Sequence, residues 1–191
     1  MYVPISLRVG AASIMRGAAA ATVGLVLVAS TPVVQTATAA PTSIAGMIVF
    51  LDPGHNGSND ASIGKQVPTG RGGTKDCQAS GTSSADGFPE HTFTWDTVLR
   101  IRQALTALGV RTAMSRGNDT GLGPCVDERA AMANALHPDA IVAIHADGGP
   151  ATGRGFHVNY SSPPLTDVQA GPSVQFAQIM RDQLQASGLV H

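Results

Sequence analysis

Two short apolar segments, each ending in a histidine, constrain the fold more than any other feature of the sequence. Residues 48–51 run into Asp52-Pro53-Gly54-His55, and residues 140–144 run directly into His145. Short apolar runs bounded by turn residues are typical of buried strands. Ligand sites in open α/β sheets lie beyond the carboxyl ends of the strands, so two histidines at strand ends can meet at one point. The repeated placement favours a metal site over two unrelated histidines.

The segments between these strands predict an α/β fold. Apolar residues recur at helical spacing from Glu90 to Leu108, and Gly109 ends that helix. A strand follows at residues 110–115, and β-α-β crossovers are almost always right-handed and leave their two strands parallel. Helices are also predicted at residues 127–136 and from a capping Ser173 onward, and a strand at residues 155–160. The 191 residues therefore predict one α/β domain with a mostly parallel, twisted central sheet flanked by helices.

The long segment between His55 and Glu90 is rich in glycine and shows little periodicity. Loops of this length in a compact domain are usually functional or disordered, and the position after His55 favours a flap over the site. A decorative insertion is the alternative. The sequence has two cysteines, Cys77 in this segment and Cys125 before the second helix. In an oxidising compartment they most simply form one disulfide that ties the segment to the domain; two free thiols are the alternative.

The first 40 residues have the parts of a secretory signal. Arg8 and Arg16 supply the positive region, residues 18–29 are mostly apolar, and Ala37-Thr38-Ala39 is an A-x-A cleavage site. The apolar run is short for a membrane span, although an uncleaved anchor is the alternative interpretation. The mature chain, residues 41–191, is expected in the periplasm or cell wall, without a stable membrane anchor. The net charge of −1 for the whole sequence and the lack of a basic patch argue against nucleic acid as a partner.

A metal at the two histidines needs a third protein ligand. Catalytic zinc commonly binds three side chains from His, Glu and Asp and keeps a fourth position for water. Glu90 is the best candidate because it begins the helix packed beside the first strand, and His91 is the neighbouring alternative. Glu90 also has a simpler explanation, since the helix dipole favours a carboxylate in the first turn. His157 alternates with apolar neighbours on a predicted strand and is expected to line the cleft or face solvent.

These residues resemble the zinc-dependent N-acetylmuramoyl-L-alanine amidases of the type 3 family, in particular its secreted mycobacterial-type members. The family's D-P-G-H motif matches residues 52–55, and its helix-starting glutamate matches Glu90. Its S-x-H-A-D-A strand end matches residues 143–148, with Ala143 in place of serine and Gly148 in place of the last alanine. The family's arginine-then-aspartate loop and its R-x-x-x-x-N motif match Arg116, Asp119, Arg129 and Asn134. The resemblance covers residues 46–189.

The resemblance implies a Zn²⁺ site formed by His55, Glu90 and His145. It also implies hydrolysis of the amide between N-acetylmuramic acid and L-alanine, in peptidoglycan or in muropeptides. The family's proton carrier is a second glutamate on a late strand. That glutamate is expected beyond residue 191, together with the last strand and closing helix of the fold, because the sequence has no glutamate after Glu128. Asp147 is the substitute available within the chain.

Residues 41–191 are therefore expected to form an amidase domain that is incomplete at its C-terminus. A missing strand would leave one edge of the sheet uncovered. Two other functions stay open. One is a wall-binding or regulatory module that keeps the zinc site without turnover, and the other is a different extracytoplasmic zinc hydrolase, such as a peptidase.

Overall fold

The computed structural model describes residues 2–6, 43–150 and 152–190, and of residues 2–6 it describes the backbone only. The chain divides into two units. One contains residues 1–11 and 44–191. The other, residues 12–43, lies outside the described residues apart from Ser43, as do the apolar run and the cleavage motif of the predicted leader. Within the described ranges, no helix combines the length and the apolarity needed to cross a bilayer.

The strands form one five-stranded sheet and one hairpin. The strands are β1 (Tyr2–Ser6), β2 (Ile48–Pro53), β3 (Gln66–Pro68), β4 (Thr74–Asp76), β5 (Arg111–Met114), β6 (Ala140–His145) and β7 (His157–Val158). The sheet has the order β5-β2-β6-β1-β7, in which only β7 is antiparallel to its neighbour. The mostly parallel sheet expected from the sequence is thus confirmed. β1 lies in the segment predicted as a leader and pairs in parallel with β6.

Four α-helices of the described residues accompany the sheet, namely α1 (Glu90–Ala107), α2 (Val126–Leu136), α3 (Asp167–Ala170) and α4 (Pro172–Ala186). Successive residues of β2 point to opposite faces of the sheet. Leu51 packs with Val98 of α1 and with apolar residues of α4, whereas Phe50 packs with Ala133 of α2. The near-continuous apolar runs of β2 and β6 follow from this arrangement, because helices cover both faces of the sheet.

The segment after His55 is more ordered than the sequence predicts. It contains a 3-10 helix at Ala61–Gly64 and the β3–β4 hairpin, whose connecting turn includes three glycines with positive φ. Strands of three residues are too short to give a periodic signal, which explains why the hairpin was not predicted. The predicted disulfide is present between Cys77 and Cys125, with an S–S distance of 2.09 Å, and it joins this segment to the start of α2.

Two predictions near the C-terminal side of the domain are corrected. The strand expected at residues 155–160 shortens to His157–Val158, and Tyr160 is exposed. Ser173 does not cap α4, because the helix begins one residue earlier at Pro172 with Gly171 as its N-cap residue. Proline suits the first helical position, since its fixed φ matches the helix and its missing N–H would be unpaired there anyway.

Candidate active site

Three side chains that are far apart in sequence meet at one edge of the sheet. His55 Nε2 lies 2.9 Å from Glu90 Oε1, and His145 Nδ1 lies 3.2 Å from the same oxygen. The two ring nitrogens are 3.1 Å apart. Among the described residues, these three are the group of His, Cys, Asp and Glu side chains whose ligand atoms are close enough to hold one ion. The structure therefore brings together the three side chains that the sequence predicts as metal ligands.

The ends of secondary-structure elements place these side chains. His145 is the last residue of β6, Glu90 is the first residue of α1, and His55 follows β2 by two residues. Because β2 and β6 are adjacent and parallel, their carboxyl ends lie side by side. Gly54 is required between them, since a Cβ atom at this position would overlap the ring of His145. The D-P-G-H turn thus makes room for the second histidine as well as presenting the first.

A backbone carbonyl fixes the protonation of His55. Its Nδ1 lies 2.9 Å from the carbonyl oxygen of Ala79, and a carbonyl can only accept a hydrogen bond. Nδ1 therefore carries the proton in the neutral ring, and the lone pair of Nε2 faces Glu90 and His145. Many metal-binding histidines are oriented in this way by a hydrogen bond from the other ring nitrogen.

Glu90 is buried and held by hydrogen bonds to both carboxylate oxygens. Oε1 accepts from the amide of Ala146 at 2.8 Å, and Oε2 accepts from the amide of Thr82 at 3.0 Å. Burial raises the pKa of Glu90, but hydrogen bonds with His145, His55 and Ala146 outweigh it and hold the pKa well below its ordinary value. Burial lowers the pKa of His55, and hydrogen bonds with Glu90 and Ala79 outweigh it, so that pKa is raised. The glutamate is therefore an ionised ligand.

The three donor atoms fit a zinc ion. Two histidines and one glutamate are a ligand set that catalytic zinc sites use. Three bonds of ordinary zinc length to one tetrahedral ion place the donor atoms about 3.3 Å apart, close to the observed separations of 2.9 to 3.2 Å. In the neutral ring of His55 Nε2 is unprotonated, and this form and the ionised carboxylate are the forms in which these groups bind metal.

Arg129 holds the turn that carries His55. This buried side chain on α2 donates to Asp52 Oδ1 at 2.8 Å, to the carbonyl oxygen of Pro53 at 2.9 Å and to that of His55 at 2.8 Å. It also donates to Asn56 Oδ1 at 2.8 Å. Asp52 and Arg129 are separated by 77 residues in the sequence, so their ion pair could not be read from local spacing. The motif match identified Arg129, but its role becomes visible only in the folded chain.

A second buried arginine explains why His91 is not a metal ligand. Arg116 donates to Asp119 Oδ1 at 2.8 Å and to the carbonyl oxygen of His91 at 2.8 Å. His91 Nδ1 lies 2.8 Å from the same Asp119 oxygen, so its ring is directed away from the three-ligand cluster. Partial burial raises the pKa of Asp119, but hydrogen bonds with His91, Thr92 and Arg116 outweigh it and lower that pKa. Glu90 therefore joins the cluster, and its neighbour belongs to a supporting network.

Asp147, the substitute proton carrier suggested by the sequence, does not join the three ligands. Its Oδ2 lies 3.4 Å from His157 Nε2, and both side chains are partly exposed. His157 is therefore neither a ligand of the cluster nor a buried structural histidine.

A pocket of about 450 Å³ opens beside the ligand cluster. Its walls combine the turn after β2, the end of β6, the β4 strand with the residues that follow it, and α2. The lining residues include Asp52, His55, Lys75, Asp76, Arg129 and His145. The pocket gives a substrate access to the position where the three donor atoms meet.

Comparison with known proteins gives one consistent family. The family model described as N-acetylmuramoyl-L-alanine amidase matches residues 49–190. N-acetylmuramoyl-L-alanine amidase Rv3717 of Mycobacterium tuberculosis is 75% identical over 167 residues, which are 87% of this chain and 69% of that protein. N-acetylmuramoyl-L-alanine amidase LytC of Bacillus subtilis is 24% identical over 163 residues, 84% of this chain and 28% of that protein.

Two solved structures have a similar fold. The N-acetylmuramyl-L-alanine amidase Ami1 from Mycobacterium smegmatis aligns with a TM-score of 0.77 and 80% identity, covering 78% of this chain and 68% of that one. Ami1 from Mycobacterium abscessus aligns with a TM-score of 0.76 and 68% identity, covering 76% and 69% of the two chains.

Proposed function

The chain belongs to the family of N-acetylmuramoyl-L-alanine amidases, and from this membership we propose that it is a zinc-dependent peptidoglycan amidase. The proposed reaction is hydrolysis of the amide between N-acetylmuramic acid and L-alanine, in intact peptidoglycan or in its fragments. The observation that carries the zinc dependence is the convergence of His55 Nε2, Glu90 Oε1 and His145 Nδ1 within 3.2 Å of one another.

When bound, zinc supplies a water ligand of lowered pKa and polarises a carbonyl oxygen. The role of the protein is to hold the three donor atoms in place, so that no rearrangement is needed. The Ala79 carbonyl orients His55, and the amides of Thr82 and Ala146 fix the carboxylate of Glu90. His55 and Glu90 are 8% and 4% exposed, so bulk water has little access to these two donors.

Amide hydrolysis also needs a group that carries a proton to the leaving amine. Asp52 lines the pocket but does not suit this role, because Arg129 and Ser115 both bind its Oδ1 and it is buried. Asp147 follows His145 by two residues and keeps partial exposure, so we retain it as the candidate within the described residues.

We further propose that the mature protein acts outside the cytoplasm, in the periplasm or cell wall. The leader-like composition of residues 1–40 supports this location. The Cys77–Cys125 disulfide also supports it, because such bonds persist in oxidising compartments.

The test is hydrolysis of a synthetic muramyl peptide by the purified chain loaded with zinc. We expect release of a peptide with a free L-alanine amino terminus, loss of activity with a chelator, and recovery when zinc is returned. The variant Glu90→Gln should lose activity. His137→Asn should retain it, because His137 lies at the end of α2 in a left-handed conformation that asparagine also adopts.

The same experiment separates the other two functions. Zinc binding and muropeptide binding without turnover would indicate a wall-binding or regulatory module. Cleavage of a bond between two amino acids, in place of the amide between muramic acid and alanine, would indicate a peptidase.

A further inference from the structure

The β3–β4 hairpin directs one lysine towards the pocket beside the ligand cluster. Lys75 on β4 is paired with Val67 on β3, and partners across a hairpin lie on the same face. Val67 is only 4% exposed, so this face of the hairpin packs against the domain. The adjacent pair, Gln66 and Asp76, lies on the opposite face of the hairpin, and Asp76 also borders the pocket. Lys75 thus projects from the inner face and lines the pocket that also contains His55 and His145.

The hairpin is held at both ends, which gives Lys75 a defined position. Cys77, two residues after Lys75, forms the disulfide with Cys125. At the other end of the hairpin, the guanidinium of Arg71 donates to the hydroxyl of Ser161 and to the carbonyl oxygen of Pro163. The backbone that carries Lys75 is therefore fixed to two separate parts of the domain.

Of the lysine and arginine side chains that line this pocket, Lys75 is the one without an ion-pair partner among the described residues. Asp52 and Arg129 form an ion pair at 2.8 Å, and Asp76 accepts a hydrogen bond from Gln66. Within residues 43–150 and 152–190, the ammonium group of Lys75 has neither an ion pair nor a hydrogen bond. A lysine without a partner on the wall of a pocket can bind an anionic group of a ligand that enters it.

We propose that Lys75 is a specificity residue that binds a carboxylate on the peptide portion of the substrate. This inference rests on the proposed amidase function, because it places the scissile amide at His55, Glu90 and His145. A pocket of about 450 Å³ accommodates the groups next to that amide together with one further amino acid. The enzyme then prefers substrates in which the residue after L-alanine carries a free carboxylate over substrates in which that carboxylate is an amide.

The test compares two substrates that differ only in this group. They are N-acetylmuramoyl-L-alanyl-D-glutamate and its D-isoglutamine counterpart, in which the α-carboxylate is amidated. For the natural chain we expect a kcat/KM that is about three- to tenfold higher for the acid than for the amide, in the range of exposed to partly desolvated charge pairs. Lys75→Ala should abolish this preference, mainly by raising KM for the acid, and change the amide by less than twofold.

Two variants that change the charge at position 75 and one variant of a lysine outside the pocket provide the controls. Lys75→Arg should keep the preference for the acid, and Lys75→Glu should reverse it. Lys65→Ala removes an exposed lysine at the end of the 3-10 helix that does not line the pocket, so it should behave as the natural chain does. Equal preference in the natural chain and in Lys75→Ala would overturn the inference.

Equilibrium binding of the same two compounds to the zinc-loaded chain separates failure of this inference from failure of the proposed function. Should the natural chain bind both compounds without hydrolysing them, the proposed function fails while the affinity ratio still tests Lys75. An affinity ratio that Lys75→Ala leaves unchanged refutes the role of Lys75, and so does the absence of any binding.

Discussion

The substitution Arg129→Gln tests whether the buried arginine positions the turn that carries His55. Arg129 is 3% exposed and forms an ion pair with Asp52, which is 5% exposed. Removing one partner leaves a buried charge that retains only the hydrogen bond from Ser115. Breaking a buried pair in this way costs about 3–5 kcal/mol of folding free energy. Small domains have free energies of unfolding of about 5–15 kcal/mol, so the variant should be much less stable but can still fold.

The same substitution should weaken zinc binding in the folded protein. Arg129 donates to the carbonyl oxygens of Pro53 and His55, so the glutamine variant loosens the turn that presents Nε2 of His55. Loss of groups that orient a metal ligand typically lowers affinity by about 10- to 100-fold. Urea unfolding of the zinc-free chain measures the first effect, and competition with a chelator of known affinity measures the second.

Two controls make the result decisive. Arg100→Gln removes an exposed arginine on α1 and should change stability by less than about 0.5 kcal/mol, with no effect on zinc. The double variant Asp52→Asn, Arg129→Gln removes both charges and should recover part of the lost stability, because no unpaired buried charge remains. If Arg129→Gln cost less than about 1 kcal/mol and left zinc affinity unchanged, the positioning role would be refuted.

Three further predictions concern other parts of the site. Gly54→Ala should weaken zinc binding because the new methyl group displaces the ring of His145, whereas Gly64→Ala, with open space around it, should not; chelator competition compares the two. The pKa of Asp119 is lowered on folding, so its contribution to stability is present above its ordinary pKa of 3.8 and is lost as pH falls below it. Thermal unfolding across this range should show a smaller acid-induced loss for Asp119→Asn than for the natural chain. If Asp147 carries the proton, Asp147→Asn should reduce kcat by about 10²–10⁴-fold, and a loss of less than about tenfold would exclude that role.

The strands and the three candidate ligands could be predicted where the sequence signal for an element also fixes where its functional residue lies. The apolar runs of β2 and β6 end in turn residues, so both strands and the position of their histidines follow from sequence alone. Glu90 followed from its place at the start of a strongly periodic helix. In each case the signal is contained in a few consecutive residues, and parallel pairing of the strands then brings the ends together.

Other features depend on contacts between distant residues and left no local signal. The Asp52–Arg129 pair joins β2 to α2, and the burial of both charges makes sense only when the two elements are adjacent. The orientation of His91 away from the cluster depends on Asp119, 28 residues later. The β3–β4 hairpin is stabilised by the disulfide and by the Arg71 contacts more than by any periodicity of its short strands. The position of this segment after His55 predicted a cover over the site, but the hairpin and the residues with which it lines the pocket have no signal in a glycine-rich sequence.

The central claim is that one zinc ion is bound by His55, Glu90 and His145. Anomalous diffraction at the zinc absorption edge, from crystals of the zinc-loaded chain, tests it most directly. The account predicts one strong peak per chain at about 2.0–2.2 Å from His55 Nε2, His145 Nδ1 and a carboxylate oxygen of Glu90. A zinc peak at another set of side chains, or no peak at these three, would contradict it.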